Sequence, residues 1–316
     1  ISIAAVIGYD AIVGGSIIYL GVAIGFAAAT INPFTIGIAQ PVAGVPLFSG
    51  LGYRIFCFAI FMSIAIWYVM HYAKKVKKDP TKSYLYGIQL EMQDVGSKEE
   101  LMGKSFTKTH IISCFLFVFT IAMLLVGTIH LKWYIDEIAT LFIIMTIVTG
   151  LISGFTPSQI CEFFIESSKE MMYGALLVGI SRSIPLIMEQ SYIIDTIVNW
   201  LATMLQNFHG AASAVGMLLV QNIINFFIPS GVGQALVTMP ILAPVGEMVG
   251  VSRQVSVLAY QFGDGFSNIF WPTSVFMMCG IMRLPINKWY KFVTPLFGMI
   301  FVAEIVLLII AMLIGY

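Results

Sequence analysis

Long apolar runs dominate this chain. They extend from Ala11 to Ala39, Tyr53 to Tyr72, Ile111 to Leu131, Ile138 to Phe155, Met171 to Pro185, Arg253 to Met282 and Phe292 to Ile314. A bilayer core about 30 Å thick takes about 20 apolar residues per helix, and only helices or closed barrels can cross it. These runs are too long for barrel strands, so the pattern predicts membrane-crossing helices. One further run, Ala211 to Val249, is different. Pro229-Ser230-Gly231-Val232-Gly233-Gln234 interrupts its middle and leaves two arms of about 15 residues, each too short to cross alone. A re-entrant helical hairpin is predicted there, with its Ser- and Gly-rich tip buried in protein or facing a water-filled cavity. The half-polar stretch Ser158 to Glu170 predicts an amphipathic helix on the cytoplasmic face rather than a crossing.

Composition agrees and excludes a soluble domain: the 316 residues are 59% hydrophobic and 10% charged, with a mean hydropathy of +0.94, more apolar side chain than a globular surface hides. Sixteen Lys and Arg balance sixteen Asp and Glu, which leaves no nucleic-acid footprint. Eight Lys and five acids lie between Ala73 and Lys108. Residues 73–108 therefore read as a linker, placed in the cytoplasm by Lys74, Lys75, Lys77, Lys78 and Lys82 at the end of the Tyr53 to Tyr72 run. Counting crossings onward puts Arg283, Lys288 and Lys291 on the same side and Arg253 outside. The four cysteines, Cys57, Cys114, Cys161 and Cys279, stand singly in apolar stretches, so they predict inert packing thiols and no metal or redox centre. The chain begins at Ile1 with no signal peptide, and the start reads as a truncation.

Two segments resemble each other. Gly8 to Thr35 and Gly250 to Ser274 each start a long helix, carry a Gly-rich stretch and then break at Asn and Pro. An odd number of crossings between them would set the two halves upside down. Inverted repeats with paired broken helices are the signature of a secondary transporter whose site lies at the bilayer midplane. On this reading residues 1–72 are the end of a first repeat, comprising a hairpin remnant, a broken helix and one span. Residues 109–316 are a second repeat with hairpin 211–249 and broken helix 253–282. Ile1 to Ile7 would be the outgoing arm of a first hairpin whose tip precedes this chain.

The candidate chemistry lies at the interruptions. At the hairpin tip, Asn225, Ser230, Gly231, Gly233 and Gln234 combine close backbone approach, neutral donors and acceptors, and the positive end of the next helix. They suit a carboxylate or a desolvated cation. In the second broken helix, Asp264 is an expensive charge at membrane depth and reads as a cation ligand or proton carrier; a partner for Arg182 or a backbone cap is the plainer alternative. Asn268, Pro272, Thr273 and Ser274 surround it in sequence. The first break offers Asn32, Pro33 and Thr35, with Gly21 and Gly25 at a spacing that allows close helix approach. Arg182, near Glu189 and Pro185, either binds a carboxylate or neutralises Asp264 or Glu189.

These motifs resemble the C4-dicarboxylate anaerobic carrier family, which includes proteins assigned as basic amino-acid antiporters, within the ion transporter superfamily. The resemblance rests on Asn225 to Ala235, Met239 to Pro244, Gln261 to Asn268, Pro272 to Ser274 and, in the first half, Gly25-Phe26 and Thr30 to Thr35. It implies two inverted repeats forming a transport domain beside a scaffold. Such carriers move carboxylate-bearing solutes by an elevator-type motion driven by sodium or protons, often as dimers. By that resemblance Asn225, Ser230, Gly231, Gly233, Asn268, Pro272 and Thr273 form the second ion and substrate half-site, and Asn32, Pro33 and Thr35 part of the first. The expected fold is therefore an all-α integral membrane protein. The expected function is ion-coupled symport or antiport of an amino acid or C4-dicarboxylate, with no cofactor beyond Na+ or H+ and with membrane lipid and a second copy as partners. A membrane-embedded enzyme on a lipid-linked substrate would need a nucleophile and base or a metal cluster within the spans, and no Ser-His or His-x-x-His arrangement appears. A structural subunit of a membrane complex would not need a buried Asp or broken helices.

Overall fold

A computed structural model gives the fold. It describes residues 1–88 and 107–316 apart from 2, 3, 5, 33, 132, 134 and 206. Side chains are left aside at 128–130, 135, 170, 171, 173–175, 177–182, 184, 185 and 189. Among the described residues every regular element is a helix: α1 (Ala11–Ala27), α2 (Ile36–Val42), α3 (Leu51–Lys78), α4 (Lys108–His130), α5 (Ile135–Ile152), α6 (Pro157–Gln190), α7 (Ile193–Leu205), α8 (Ala211–Phe227), α9 (Gly231–Met248), α10 (Arg253–Gly265), α11 (Pro272–Ile281) and α12 (Ile286–Leu313), with short 3-10 helices at Pro80–Lys82 and Ser267–Ile269. Leu51–Lys78, Lys108–Gly127 and Ile286–Leu313 are long and apolar enough to cross a membrane.

The chain divides into two compact units, Ile1–Asp94 with Gly174–Tyr316, and Val95–Tyr173. In the second unit α4 opens on a capping box between Thr107 and His110. The α5–α6 turn packs Ile160 onto Gly150, and Phe155 stacks edge-on against Phe163.

The first unit holds the interruptions that the sequence marks. α1 starts at Asp10, whose carboxylate accepts from Val13 N at 2.9 Å, and α10 starts at Ser252, which accepts from Val255 N at 3.1 Å. The glycines two residues before these caps, Gly8 (φ 93°) and Gly250 (φ 80°), both take the left-handed backbone that a side chain disfavours. Each of the two helices is followed by a break, a shorter helix and then a 28-residue helix, α3 or α12. α3 and α12 run antiparallel, since Tyr53 donates to Leu307 O at 2.5 Å and Tyr68 to Phe292 O at 2.6 Å. α3 ends at Asp79, whose carboxylate accepts from the backbone and hydroxyl of Thr81 and is held below the ordinary carboxylate range chiefly by that hydroxyl.

The stretch Ala211 to Val249 forms the expected hairpin, with arms α8 and α9 and a base closed by Gly210 N on Val249 O at 2.8 Å. Two expectations fail. Ser158 to Glu170 and Met171 to Pro185 are not separate elements, because α6 runs unbroken for 34 residues through Pro185; the polar stretch contains no Gly or Pro to stop it, and Pro157 takes the first position. Gly21 and Gly25 meet nothing, since a Cβ on either would stand in open space. Of the cysteines, Cys57 and Cys279 pack in the core, whereas Cys114 and Cys161 are exposed.

Candidate functional site

α8, α9, α10 and α1 meet where their helices stop. Gly265, the last residue of α10, lies directly on the backbone of Phe26 and Ala27 at the end of α1, with no room for a Cβ. The two breaks therefore touch, through Gly265 rather than through Gly25. Two residues earlier Gly263 packs against α8, where a Cβ would come within 3.0 Å of Asn222 N and 3.1 Å of Leu218 O.

Unwound backbone in an apolar interior needs donors for the carbonyls it frees. In the second break, side chains from four directions supply them. Asn225 Nδ2 and Asn268 Nδ2 donate to Asp264 O at 3.1 and 2.7 Å. Tyr19 donates to Asn268 O at 2.8 Å, Trp289 Nε1 to Ile269 O at 3.0 Å and Tyr290 to Phe270 O at 2.8 Å. Ser274 donates to Asn268 Oδ1 at 3.0 Å. Pro272 occupies the first turn of α11, where its missing N–H costs nothing.

The hairpin tip is capped rather than loose. Ser230 accepts from Gly233 N at 3.3 Å, and Tyr260 donates to Gly231 O at 2.6 Å. Below it Gln234 Nε2 donates to Gln221 O and Oε1 at 2.8 and 2.7 Å, and Gln221 Nε2 to Thr238 at 3.0 Å. Gly231 is the point of assembly. A Cβ there would stand 2.9 Å from Thr35 Cγ2, 3.1 Å from Asp264 Oδ2 and 3.4 Å from the Tyr260 hydroxyl. One residue of the tip thus faces Thr35 of the first break and Asp264 in the last turn of α10, just before the second.

What remains there is a set of oxygens with nothing to accept. Asp264 is 1% exposed, and neither carboxylate oxygen has a hydrogen-bond partner. Thr35 Oγ1 and Asn225 Oδ1 beside it are also buried and unpartnered, as are Gln234 Oε1 in the hairpin and Thr273 Oγ1 at the start of α11. Buried polar groups are nearly always satisfied, so a cluster of orphan acceptors is a specific departure. An acceptor-rich setting of this kind is what a hard cation or a proton completes. Among the described residues no group of His, Cys, Asp and Glu is arranged to hold a metal.

The structure thus gathers Thr35, Asn225, Gly231, Asp264 and Asn268, with Ser230, Gly233, Gln234, Pro272, Thr273 and Ser274 close by in the chain. Asn32 is turned to local use, its Oδ1 accepting from Phe34 N at 2.8 Å. Pro33 and the side chains of Arg182 and Glu189 lie outside the described residues. Tyr260, Gln221, Arg54 and Glu304 escape the sequence reading, and Gln261 enters it only as part of the resemblance, with no site role. Arg54 and Glu304 bear the same signal that marks Asp264, a charge at the edge of or inside an apolar run, and both are buried. Tyr260 and Gln221 give no such signal.

Comparison with known proteins gives the family. The profile of a family described as "C4-dicarboxylate anaerobic carrier" matches residues 3–313. This chain belongs to the C4-dicarboxylate anaerobic carrier family. It is 38% identical over 325 residues to an Escherichia coli (strain K12) protein described as "Putative basic amino acid antiporter YfcC", with 98% of this chain and 63% of that protein aligned. A Haemophilus influenzae protein described only as "Uncharacterized protein" is 31% identical over 307 residues, covering 96% of this chain and 60% of the relative. The chain thus spans about three fifths of the length of these relatives. No solved structure matches it.

Proposed function

We propose that this chain forms the ion- and solute-binding part of a secondary active transporter, an ion-coupled symporter or antiporter of a small carboxylate-bearing solute. The observation that bears this reading is the Asp264 carboxylate, buried without a partner where the hairpin tip and the two breaks meet. In a stable structural core that carboxylate would be paired. In a carrier its orphan state is useful, because an ion that binds and leaves must find its ligands unsatisfied when absent. Sodium or a proton fits at Asp264, with Thr35 Oγ1 and Asn225 Oδ1 as further oxygens.

The order helix, break, short helix and long helix occurs twice, and the equivalent long helices α3 and α12 are antiparallel. Both facts support an inverted repeat, with alternating access by an elevator-type movement. Family membership and the name of the Escherichia coli relative support an amino acid or a C4-dicarboxylate as the solute. The reading places the chain in a bacterial inner membrane with residues 73–108 in the cytoplasm, lipid on its apolar faces and a second copy as partner.

Counterflow in proteoliposomes of the full-length protein tests it, with amino acids and dicarboxylates offered with and without sodium and proton gradients. Saturable exchange of at least one carboxylate-bearing solute is expected. Its absence across the panel, in protein that is folded and correctly incorporated, would refute the proposal.

A further inference from the structure

The charged groups of the first unit's interior are kept apart. Arg54, Asp264 and Glu304 are all buried, and none of them pairs with another among the described residues. The ion pairs found there, Lys82 with Asp79 and Arg253 with Glu247, involve side chains 37% to 54% exposed. Arg54 is the most unusual of the three. It stands in the first turn of α3 and is 0% exposed, although a helix N-terminus disfavours a cation.

Its partners leave one side of the guanidinium open. Nη1 donates to Oε1 of Gln261, and the guanidinium also interacts with the Tyr316 hydroxyl. Nε and Nη2 have no hydrogen-bond partner. Those two N–H groups lie along the same edge of the plane, and that edge is the fork that matches both oxygens of a carboxylate. A lysine, with a point charge, would not offer it.

The fork belongs to the same pair of breaks as Asp264. Gln261, which holds Arg54 on its carbonyl oxygen, gives its Nε2 to Ala29 O at 2.9 Å and Phe26 O at 3.5 Å, where α1 ends. On α10, Gln261 precedes Asp264 by three residues, which is about 4.5 Å along the helix axis. Gln261, which holds the fork from α3, and Asp264 are therefore about one turn apart on the helix that contacts both breaks.

We propose that Arg54 is the subsite for the carboxylate of the transported solute, held in place against the first break by Gln261 as a positioning residue. This rests on the carrier reading and deepens it. The solute's negative group goes to Arg54, and Asp264 is left for the coupling ion or a positive group on the solute. The sequence offers Arg182 for this role; the structure offers Arg54. Because the guanidinium is fully covered, the carboxylate reaches it only when α3 and α10 part at this level, a movement that alternating access supplies.

Thermal unfolding of the purified full-length protein reads the subsite directly, with L-arginine, L-aspartate, succinate and agmatine as probes at matched ionic strength. Agmatine is arginine without its carboxylate. At least one carboxylate-bearing probe raises Tm in the wild type, and agmatine does not match L-arginine. Arg54→Lys, which keeps the charge and loses the fork, weakens the apparent affinity for that probe at least 10-fold. Gln261→Glu supplies a fixed competing carboxylate and weakens it as well, a second reading should the Arg54 variant fold poorly. Unchanged affinity in the folded variants, stabilisation by agmatine equal to that by L-arginine, or no stabilisation by any carboxylate would each overturn the proposal. Wild-type counterflow with an unaltered KM in Arg54→Lys would sink the Arg54 role alone, whereas no counterflow of any carboxylate would sink the carrier reading.

Discussion

Adding one methyl group at the hairpin tip tests whether the tip and the first break meet as described. In Gly231→Ala the new Cβ would lie 2.9 Å from Thr35 Cγ2 and 3.1 Å from Asp264 Oδ2. Carbon pairs settle at about 3.5–4.0 Å, so the overlap with Thr35 is about 0.6–1.1 Å. Thr35 is fully buried and β-branched, with few rotamers to retreat into. Overpacking of this kind typically costs about 1–3 kcal/mol, which corresponds to about a 5- to 150-fold shift in equilibrium. Gly21→Ala is the matched control, because its Cβ meets nothing within 4 Å and replacing a mid-helix Gly gains up to about 1 kcal/mol in helix propensity. Thermal unfolding in detergent should show Gly231→Ala below the wild type and Gly21→Ala at or above it. Equal Tm values for Gly231→Ala and the wild type would refute the contact.

Gly265→Ala should be more severe, since its Cβ falls on the backbone of Ala27, which cannot rotate away; loss of folded, monodisperse protein on size exclusion is expected, and a wild-type elution profile and Tm would contradict the crossing. Trp289→Phe removes the donor to Ile269 O while keeping most of the apolar bulk, so a loss of about 1–3 kcal/mol is expected for the buried carbonyl left unmade. Denaturant titration checks that value, and a change within experimental scatter would mean that the unwound backbone finds its donor elsewhere.

Breaks were the most legible feature of the sequence, and the reason is local. Pro229 with Ser230 and Gly231, Asn32 with Pro33, and Asn268 with Pro272 each put a helix breaker inside an apolar run, and helices stop near all three. Yet Pro41, Pro240, Pro244 and Pro295 lie inside helices. The sequence of a Pro alone does not say whether its turn opens. That depends on whether nearby side chains take the carbonyls it frees, and in the second break Tyr19, Trp289 and Tyr290 do so from remote positions in the chain. Glycines behave likewise. Gly25 has the right spacing and faces open space, while Gly265 makes the close approach because α1 happens to end against it.

The candidate site divides along the same line. Asp264 was legible because an unpaired carboxylate among apolar residues is costly wherever it points. Arg54 and Glu304 give the same signal and are overlooked, the first because it stands at the margin of an apolar run and looks like an interface residue. Only the packing shows that it is fully buried and that its Nε and Nη2 find no hydrogen-bond acceptor. The likeness of Thr35 to a site residue came from the repeat, and its contact with Gly231 could not be read from either segment alone.

Asp264 is proposed to bind the coupling ion. The most direct measurement is solute uptake into proteoliposomes of the full-length protein, with sodium and proton gradients imposed separately, for the wild type and Asp264→Asn. If Asp264 holds that ion, one gradient drives accumulation in the wild type and Asp264→Asn abolishes gradient-driven uptake or changes its ion dependence. Accumulation in Asp264→Asn with the wild-type ion dependence and extent would contradict it.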